Sequence, residues 1–321
     1  MSKALRDSTE AYQKVGGWGV GDIVAGLRAE RERWRNSHQR SREFAVREFP
    51  ARTALREIVE SLCGVLFPMR LGPTDLHQEG EDHFVGYTLD TALNALYEQV
   101  LLELTYQRRL LGVRADTVAV DAAVIVRAFG GALPGLRRLL DSDIEAAFQG
   151  DPAARSVDEV LLCYPGVLAI IHYRLAHTLF GLGVQLIARI LAEIAHSITG
   201  IDIHPGARIG ASFFIDHGTG VVIGETTVIG SRVRLYQAVT LGAKRFAMAQ
   251  SGKLEKGGAH HPILEDDVVV YAGATILGRI TIGRGSSIGG NVWLTRSVPP
   301  ESQVTQASLL QAPVDAVVSL S

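Results

Sequence analysis

From Ile203 onward the chain repeats every six residues, a period that belongs to neither an α-helix nor an ordinary strand. A branched apolar side chain returns at Ile203, Ile209 and Ile215, then at Ile223, Ile229, Leu235 and Leu241, then at Leu264, Val270, Ile276, Ile282, Ile288 and Leu294. Thirteen positions hold this phase with two interruptions, which makes chance a poor explanation. Two residues upstream of most of them stands a second inward candidate: Ala207, Val221, Val233, Val239, Val268, Ala274 and Ile280. Alternate residues of a strand share a face, so each pair is expected to fill one narrow interior. The spacing predicts a parallel β-helix in which every turn covers the apolar edge of its neighbour. Glycine follows the key residue at Gly210, Gly224, Gly230, Gly242, Gly283 and Gly289, where a turn is expected to use its freedom at positive φ.

Before Gly200 the apolar residues recur at three and four, the helical spacing, so the fold class is α+β: an all-helical domain over 1–200 and the β-helix over 201–300. Residues 301–321 form a tail, and residues 243–258 an inserted loop. The crowded Arg and Glu of Arg28 to Arg47 make a solvated helix or a mobile lead-in within 1–40 and beyond. Ser142 with Glu145 three residues on reads as a capping box opening a short helix that Gly150 closes. Asp151-Pro152 reads as cap and first turn of the next one. Val184, Ile187, Leu191, Ile194 and Ile198 form one stripe, and Gly200 ends that helix.

With 32 basic and 34 acidic residues the charges nearly cancel, so neither a nucleic-acid nor a membrane partner is indicated. Stretches free of charge, such as Leu175 to Ala188, fall short of the roughly 20 apolar residues a membrane helix needs, and the polar start carries no export signal. A cytoplasmic location follows as the expectation. Cys63 and Cys163 share no ligand spacing and read as buried thiols.

The two interruptions are where chemistry is expected, because loops thrown from a rigid scaffold commonly carry it. From Ile215 to Ile223 the step is eight, and the extra length falls at Asp216-His217-Gly218-Thr219-Gly220. Between Leu241 and Leu264 a long excursion ends in Ala259-His260-His261-Pro262. With Asp202-Ile203-His204-Pro205-Gly206-Ala207, Val222-Ile223-Gly224-Glu225-Thr226 and Val239-Thr240-Leu241-Gly242, these stretches resemble the serine acetyltransferases, over about Asp151 to Pro300.

That resemblance implies a left-handed β-helix and transfer of acetyl from acetyl-CoA to the serine hydroxyl, the step that feeds cysteine biosynthesis. It implies His217 as general base, a task suited to an imidazole with an ordinary pKa of about 6.5. Asp202, one coil earlier, would orient that ring. Asp151 and Asp216 would take the ammonium of serine and His261 its carboxylate. The family's usual Asp-Arg before His-Pro is replaced here by Ala259 and His260, so His260 stands where a bidentate arginine is expected. Gly242, Ala243, Ala272 and Gly278 match positions along which acetyl-CoA lies between subunits of a trimer, and Lys244, Arg245, Lys253 and Lys256 would reach its phosphates.

Two other readings compete. His217, His260 and His261 would suit a zinc ion in a hydrolase or lyase like the gamma-class carbonic anhydrases, although the resemblance implies no metal. Homoserine is an alternative acceptor. Without the resemblance, Asp151 reads as a helix cap, and His172, His177, His196 and His204 read as structural. Trimers, or hexamers of paired trimers, are implied. Many members dock cysteine synthase through a tail ending in Ile, which Ser302 to Ser321 does not resemble.

Overall fold

The computed structural model describes residues 18–38, 49–112, 117–244 and 258–310. The chain divides into two compact units, Met1–Glu48 and Phe49–Ser321. Of the first, the described part is helix α1 (Val20–Ser37), which buries none of its residues. Over Arg28 to Ser37 the solvated helix is therefore the outcome; residues 39–48 lie outside the described residues.

The second unit opens with α2 (Arg52–Leu66), α3 (Pro68–Leu71), α4 (Glu81–Leu110), α5 (Val118–Gly150), α6 (Val157–Cys163), α7 (Pro165–Gly181) and α8 (Gln185–Thr199). In α8 the stripe buries Ile187, Leu191 and Ile194, while Ile198 is exposed, and Gly200 ends the helix at φ 70°. Val184, at its N-cap, offers no side-chain acceptor, so the buried Glu103 of α4 takes the Leu186 and Ile187 N–H groups, each at 2.8 Å.

Two capping expectations are corrected. Ser142 lies inside the continuous α5, where its hydroxyl donates to Leu139 O and accepts from Ser212 N, so no helix begins there. Asp151-Pro152 starts no helix either. The cap is Ser156, whose Oγ accepts from Glu159 N at 3.0 Å while Glu159 reaches back to Arg155 N. By length and composition α5 could span a membrane, although Asp121, Arg127, Arg137 and Arg138 leave it no charge-free run of that size. Here it is a core helix, burying Phe129, Leu133, Leu140 and Ile144.

The coil winds through three parallel faces. The first stacks β1 (Asp202–Ile203), β4 (Val222–Ile223), β7 (Thr240–Gly242), β10 (Thr275–Leu277) and β13 (Trp293–Leu294). The second stacks β2 (Arg208–Ile209), β5 (Val228–Ile229), β8 (Ile263–Leu264) and β11 (Thr281–Ile282). The third stacks β3 (Phe214–Ile215), β6 (Arg234–Leu235), β9 (Val269–Val270), β12 (Ser287–Ile288) and β14 (Gln303–Val304), so the coil runs on to Val304 before α9 (Gln306–Leu310). All thirteen periodic residues are buried, none more than 8% exposed. Their upstream partners Ala207, Val221, Val233, Val239, Val268 and Ala274 are sealed too, while Ile280 is half-buried.

The glycines do a different job from the one expected. None of Gly210, Gly224, Gly230, Gly242, Gly283 and Gly289 has positive φ. The left-handed residue stands three places after the key residue, as at Ser212, Arg232, Asp267 and Asn291. What four of these glycines supply is room: a Cβ on Gly210, Gly230 or Gly283 would lie within 2.6 Å of the next coil's backbone or side chain, and one on Gly224 within 2.0 Å of the His261 ring.

The helices close the first turn of the coil through buried polar bonds. The Arg174 guanidinium grips Asp143 with two bonds of 3.0 and 3.1 Å and donates to Ile209 O and Gly210 O. Asp143 also accepts from Phe213 N at 2.9 Å, Tyr173 Oη donates to Ala207 O, and His177 bonds Pro205 O. These bonds hold the strand that leads into Asp216-His217.

Candidate active site

The eight-residue step is a loop on the edge where the third face passes to the first. His217 adopts φ 58° there, a left-handed conformation that costs an ordinary residue about 1–2 kcal/mol and is held by its surroundings. Gly218 follows at φ 92°, packed so closely on Ile201 and Ile215 that a Cβ would reach within 2.4 Å. The side chain of His217 is 74% exposed, and its Nε2 stands 3.9 Å from Asp216 Oδ1.

The helical region delivers the second carboxylate. Gly150, at the end of α5, lies flat on the Phe214 ring, where a Cβ would come within 3.0 Å, and the chain then turns out at Asp151. Asp151 Oδ1 accepts from Ala153 N at 2.8 Å, and Oδ2 accepts from Tyr164 Oη at 2.5 Å. The Tyr164 bond, then the Ala153 bond, hold this carboxyl below its usual range, helped by the charges of Arg234 and His217. In turn Asp151 pushes the Tyr164 phenol up to about 12. Gly166 abuts Ile215 O so tightly that a Cβ would come within 2.2 Å, fixing the start of α7 against the strand before the loop.

Sequence reasoning missed Arg234. Its Nη2 meets Asp216 Oδ2 at 2.5 Å, and its guanidinium lies 4.9 Å from the Phe214 ring centre and 4.6 Å from that of Tyr236. The signal becomes legible only with the register, because Phe214 pairs with Arg234 across two strands.

Asp202 sits elsewhere than expected. Its strand pairs with Val222, beyond the loop, and its carboxylate groups with Glu193 and His196 of α8. No hydrogen bond or ion pair joins it to His217; the carboxylate beside that ring is Asp216. The first coil directs Asp202 toward the last turns of α8, a direction that spacing along the chain does not reveal.

His261 lies on the opposite edge of the first face, where the first passes to the second. Its ring covers Gly224, Nδ1 accepts from Thr226 N at 3.2 Å, and Thr226 Oγ1 in turn accepts from His260 N and His261 N. The neutral ring therefore carries its proton on Nε2 as a donor. Burial holds its pKa below the ordinary value, with Glu225 opposing. His217 and His261 thus leave opposite edges of one face, so the zinc set of His217, His260 and His261 is not assembled within a chain. Among the described residues the group close enough to converge on an ion is Glu193, His196 and Asp202.

The positions expected for acetyl-CoA divide as well. Gly242 pairs with Leu277, its carbonyl accepts from Gly278 N at 3.0 Å, and Ala243 follows on the His261 edge. There Lys244, Ala259, His260, Gly278 and Arg279 line a groove of about 440 Å³. Ala272 lies on the His217 edge, its carbonyl accepting from Asn291 N. Arg245, Lys253 and Lys256 lie outside the described residues. Of the histidines read as structural, His172 bonds Leu168 O, His177 bonds Pro205 O and His204 accepts from Gly206 N; His196 instead pairs with Glu193.

A coil of hexapeptide repeats with a helical cap and a histidine beside carboxylates at one edge defines an acyltransferase of the hexapeptide class. No family model matches the chain. It is 55% identical over 295 residues to a serine acetyltransferase named as plasmid-borne from Synechococcus elongatus, covering 91% of this chain and 92% of that one. It is 50% identical over 162 residues to the serine acetyltransferase of Mycobacterium tuberculosis, covering 50% of this chain and 67% of the other. The chain belongs to the serine acetyltransferases. Among solved structures, Entamoeba histolytica serine acetyltransferase 1 in complex with L-cysteine superposes with a TM-score of 0.67 at 36% identity, over 78% of this chain and 86% of that one. The Neisseria gonorrhoeae enzyme in complex with serine gives 0.51 at 26%, over 78% and 94%. The left-handed parallel β-helix behind a helical domain is thus the fold of this chain.

Proposed function

We propose that the chain moves acetyl from acetyl-CoA to the hydroxyl of L-serine with His217 as the general base. The observation that carries this reading is the exposed His217 on the eight-residue step of the coil, with Asp216 Oδ1 at 3.9 Å from its Nε2 and the Tyr164-bonded Asp151 close enough to feel its charge. In the reaction the hydroxyl oxygen attacks the thioester carbonyl carbon as its proton passes to the imidazole. The tetrahedral adduct collapses, the C–S bond breaks, and the imidazolium returns the proton to the departing thiolate. A positioned base contributes roughly 10² to 10⁴ in rate.

Asp151 and Asp216 are the acceptors for the ammonium, and His261, with His260 beside it, donates to the carboxylate. Asp202 supports the base only by turning from the His196 side toward the loop; a lower kcat with unchanged KM in Asp202→Asn supports that role. Lys244 and Arg279, flanking Gly278, suit the anionic end of CoA, with Gly242, Ala243 and Ala272 along its path. His217 and His261 meet if one chain's His261 edge faces the next chain's His217 edge. Repetition of that contact closes a ring, so a trimer, or a hexamer of paired trimers, is the assembly proposed, in the cytoplasm. A helical domain over 1–200 and a coil from 201 remain its proposed divisions, with the coil carried past the expected 300 to Val304 and the tail following it.

Purified protein incubated with acetyl-CoA and serine should release free thiol, and His217→Asn should lose that release. Asn tolerates the left-handed backbone, so folding should persist. Wild-type turnover in this variant, or a clear preference for homoserine in competition, would overturn the assignment. Mixing and reassembling His217→Asn with His261→Asn chains should restore partial activity, because some mixed sites are intact.

A further inference from the structure

We infer that Arg234 is a positioning residue for the acceptor amino acid, acting by clamping one oxygen of Asp216 so that the other faces His217 and the incoming ammonium. The inference rests on the serine acetyl-transfer reading above. Four observations support it. First, Asp216 is only 7% exposed, and a carboxylate removed from water to that extent needs a partner. Arg234 is that partner, at 2.5 Å on Oδ2, while Oδ1 stands 3.9 Å from His217 Nε2. Second, the guanidinium lies over both the Phe214 and the Tyr236 rings, and Phe214 is itself pinned by the end of α5 at Gly150. The clamp is thus built from the same strand and helix that deliver Asp216 and Asp151.

Third, the charges balance with Arg234 present. Two carboxylates at one mouth repel each other, and one substrate ammonium compensates only one of them. At the ammonium end of the loaded site, Asp151 and Asp216 are then matched by the ammonium and Arg234, two negative charges against two positive. The charge of Arg234 is also felt at Asp151, whose carboxyl it helps to keep ionised. Fourth, the geometry needs an arginine in particular. A planar, delocalised cation can lie over aromatic rings and still donate from its edge to a carboxylate, which an ammonium on a flexible stem does less well. Arg234 Nε is buried without a partner, so the side chain is held by Asp216 and the rings rather than by its own stem.

The test is steady-state kinetics of the full chain with serine and acetyl-CoA, comparing wild type with Arg234→Met and Arg234→Lys. Arg234→Met fills the space over the rings but leaves Asp216 unpaired. Its KM for serine should rise by at least tenfold with a smaller fall in kcat and an unchanged KM for acetyl-CoA. Arg234→Lys should keep the raised KM, because an ammonium does not reproduce the planar fork. A folded Arg234→Met with wild-type KM for serine overturns the inference, and so does Arg234→Lys with wild-type KM. Should Arg234→Met not fold, Arg234→Lys carries the test alone. A wild-type chain that acetylates no serine would instead remove the reading beneath it.

Discussion

Replacing Asp143 by Ala tests whether the helices and the coil are held together by the bonds described. The carboxylate and the Arg174 guanidinium are 1% and 3% exposed. Their two bonds are joined by the Phe213 N–H at 2.9 Å. Breaking a buried pair from one side leaves the other charge uncompensated, at a cost of about 3–5 kcal/mol. The orphaned Phe213 N–H, worth about 1–3 kcal/mol, pushes the loss toward the upper end. Denaturation by urea at pH 7, followed by circular dichroism, should report it. The double variant Asp143→Leu with Arg174→Met should lie closer to wild type, because no unpaired charge remains. It should still fall short by about 2 kcal/mol for the lost donors to Ile209 O and Gly210 O, on top of the Phe213 N–H that both variants leave unpaired. A single-variant loss under about 1 kcal/mol, or a double variant no better than the single one, would refute the argument. Since Phe213 immediately precedes the strand leading to Asp216 and His217, serine acetylation in Asp143→Ala should fall along with stability.

Thr227 lies fully buried inside the coil with its hydroxyl unpartnered, so Thr227→Val should raise stability by about 1 kcal/mol, read as a higher Tm in calorimetry. Gly224→Ala must displace the His261 ring, which a Cβ would approach to 2.0 Å; serine KM should rise by roughly tenfold with folding retained, and an unchanged KM argues against His261 as a substrate contact. Burial holds the His172 pKa below its ordinary value, so on acidification the unfolded chain takes this proton first. The contribution is complete above about pH 6.5 and is lost as pH falls below it. His172→Gln should therefore lose less stability between pH 7 and pH 5.5 than wild type, and equal losses would count against this. Cys63, whose thiol burial pushes up to about 12, should resist alkylation at pH 8, while Cys163, which ends α6 exposed and not buried as its apolar neighbours suggest, is labelled, giving one adduct per chain.

The interior of the coil was legible without a structure because it depends on local periodicity. A branched side chain every sixth residue can be buried in only one phase, and all thirteen such residues are buried. The same logic located His217, since two extra residues in a rigid period must leave the stack. Relations between turns were not legible. The glycines after the key residues answer to the next coil pressing on them, so their backbone angles gave a wrong expectation while their positions did not. Ser142 and Asp151 carry the right residue types for caps, yet α5 runs through one and Asp151 turns out toward Tyr164, because packing against Phe214 and Ile215 outweighs local capping.

By itself, then, the amino-acid order determined the coil, the helical half before it, and the two interruptions that bear histidine. The physical reason is that burial imposes a period on the chain itself. Only the tertiary structure decided which carboxylate stands beside His217, that Asp202 faces His196 instead, and that His217 and His261 leave opposite edges of one face. It alone set Arg234 over Phe214 and Tyr236 on Asp216. Such contacts join residues distant along the chain through strand register and helix docking, and register is fixed by how coils stack rather than by any residue's own preference.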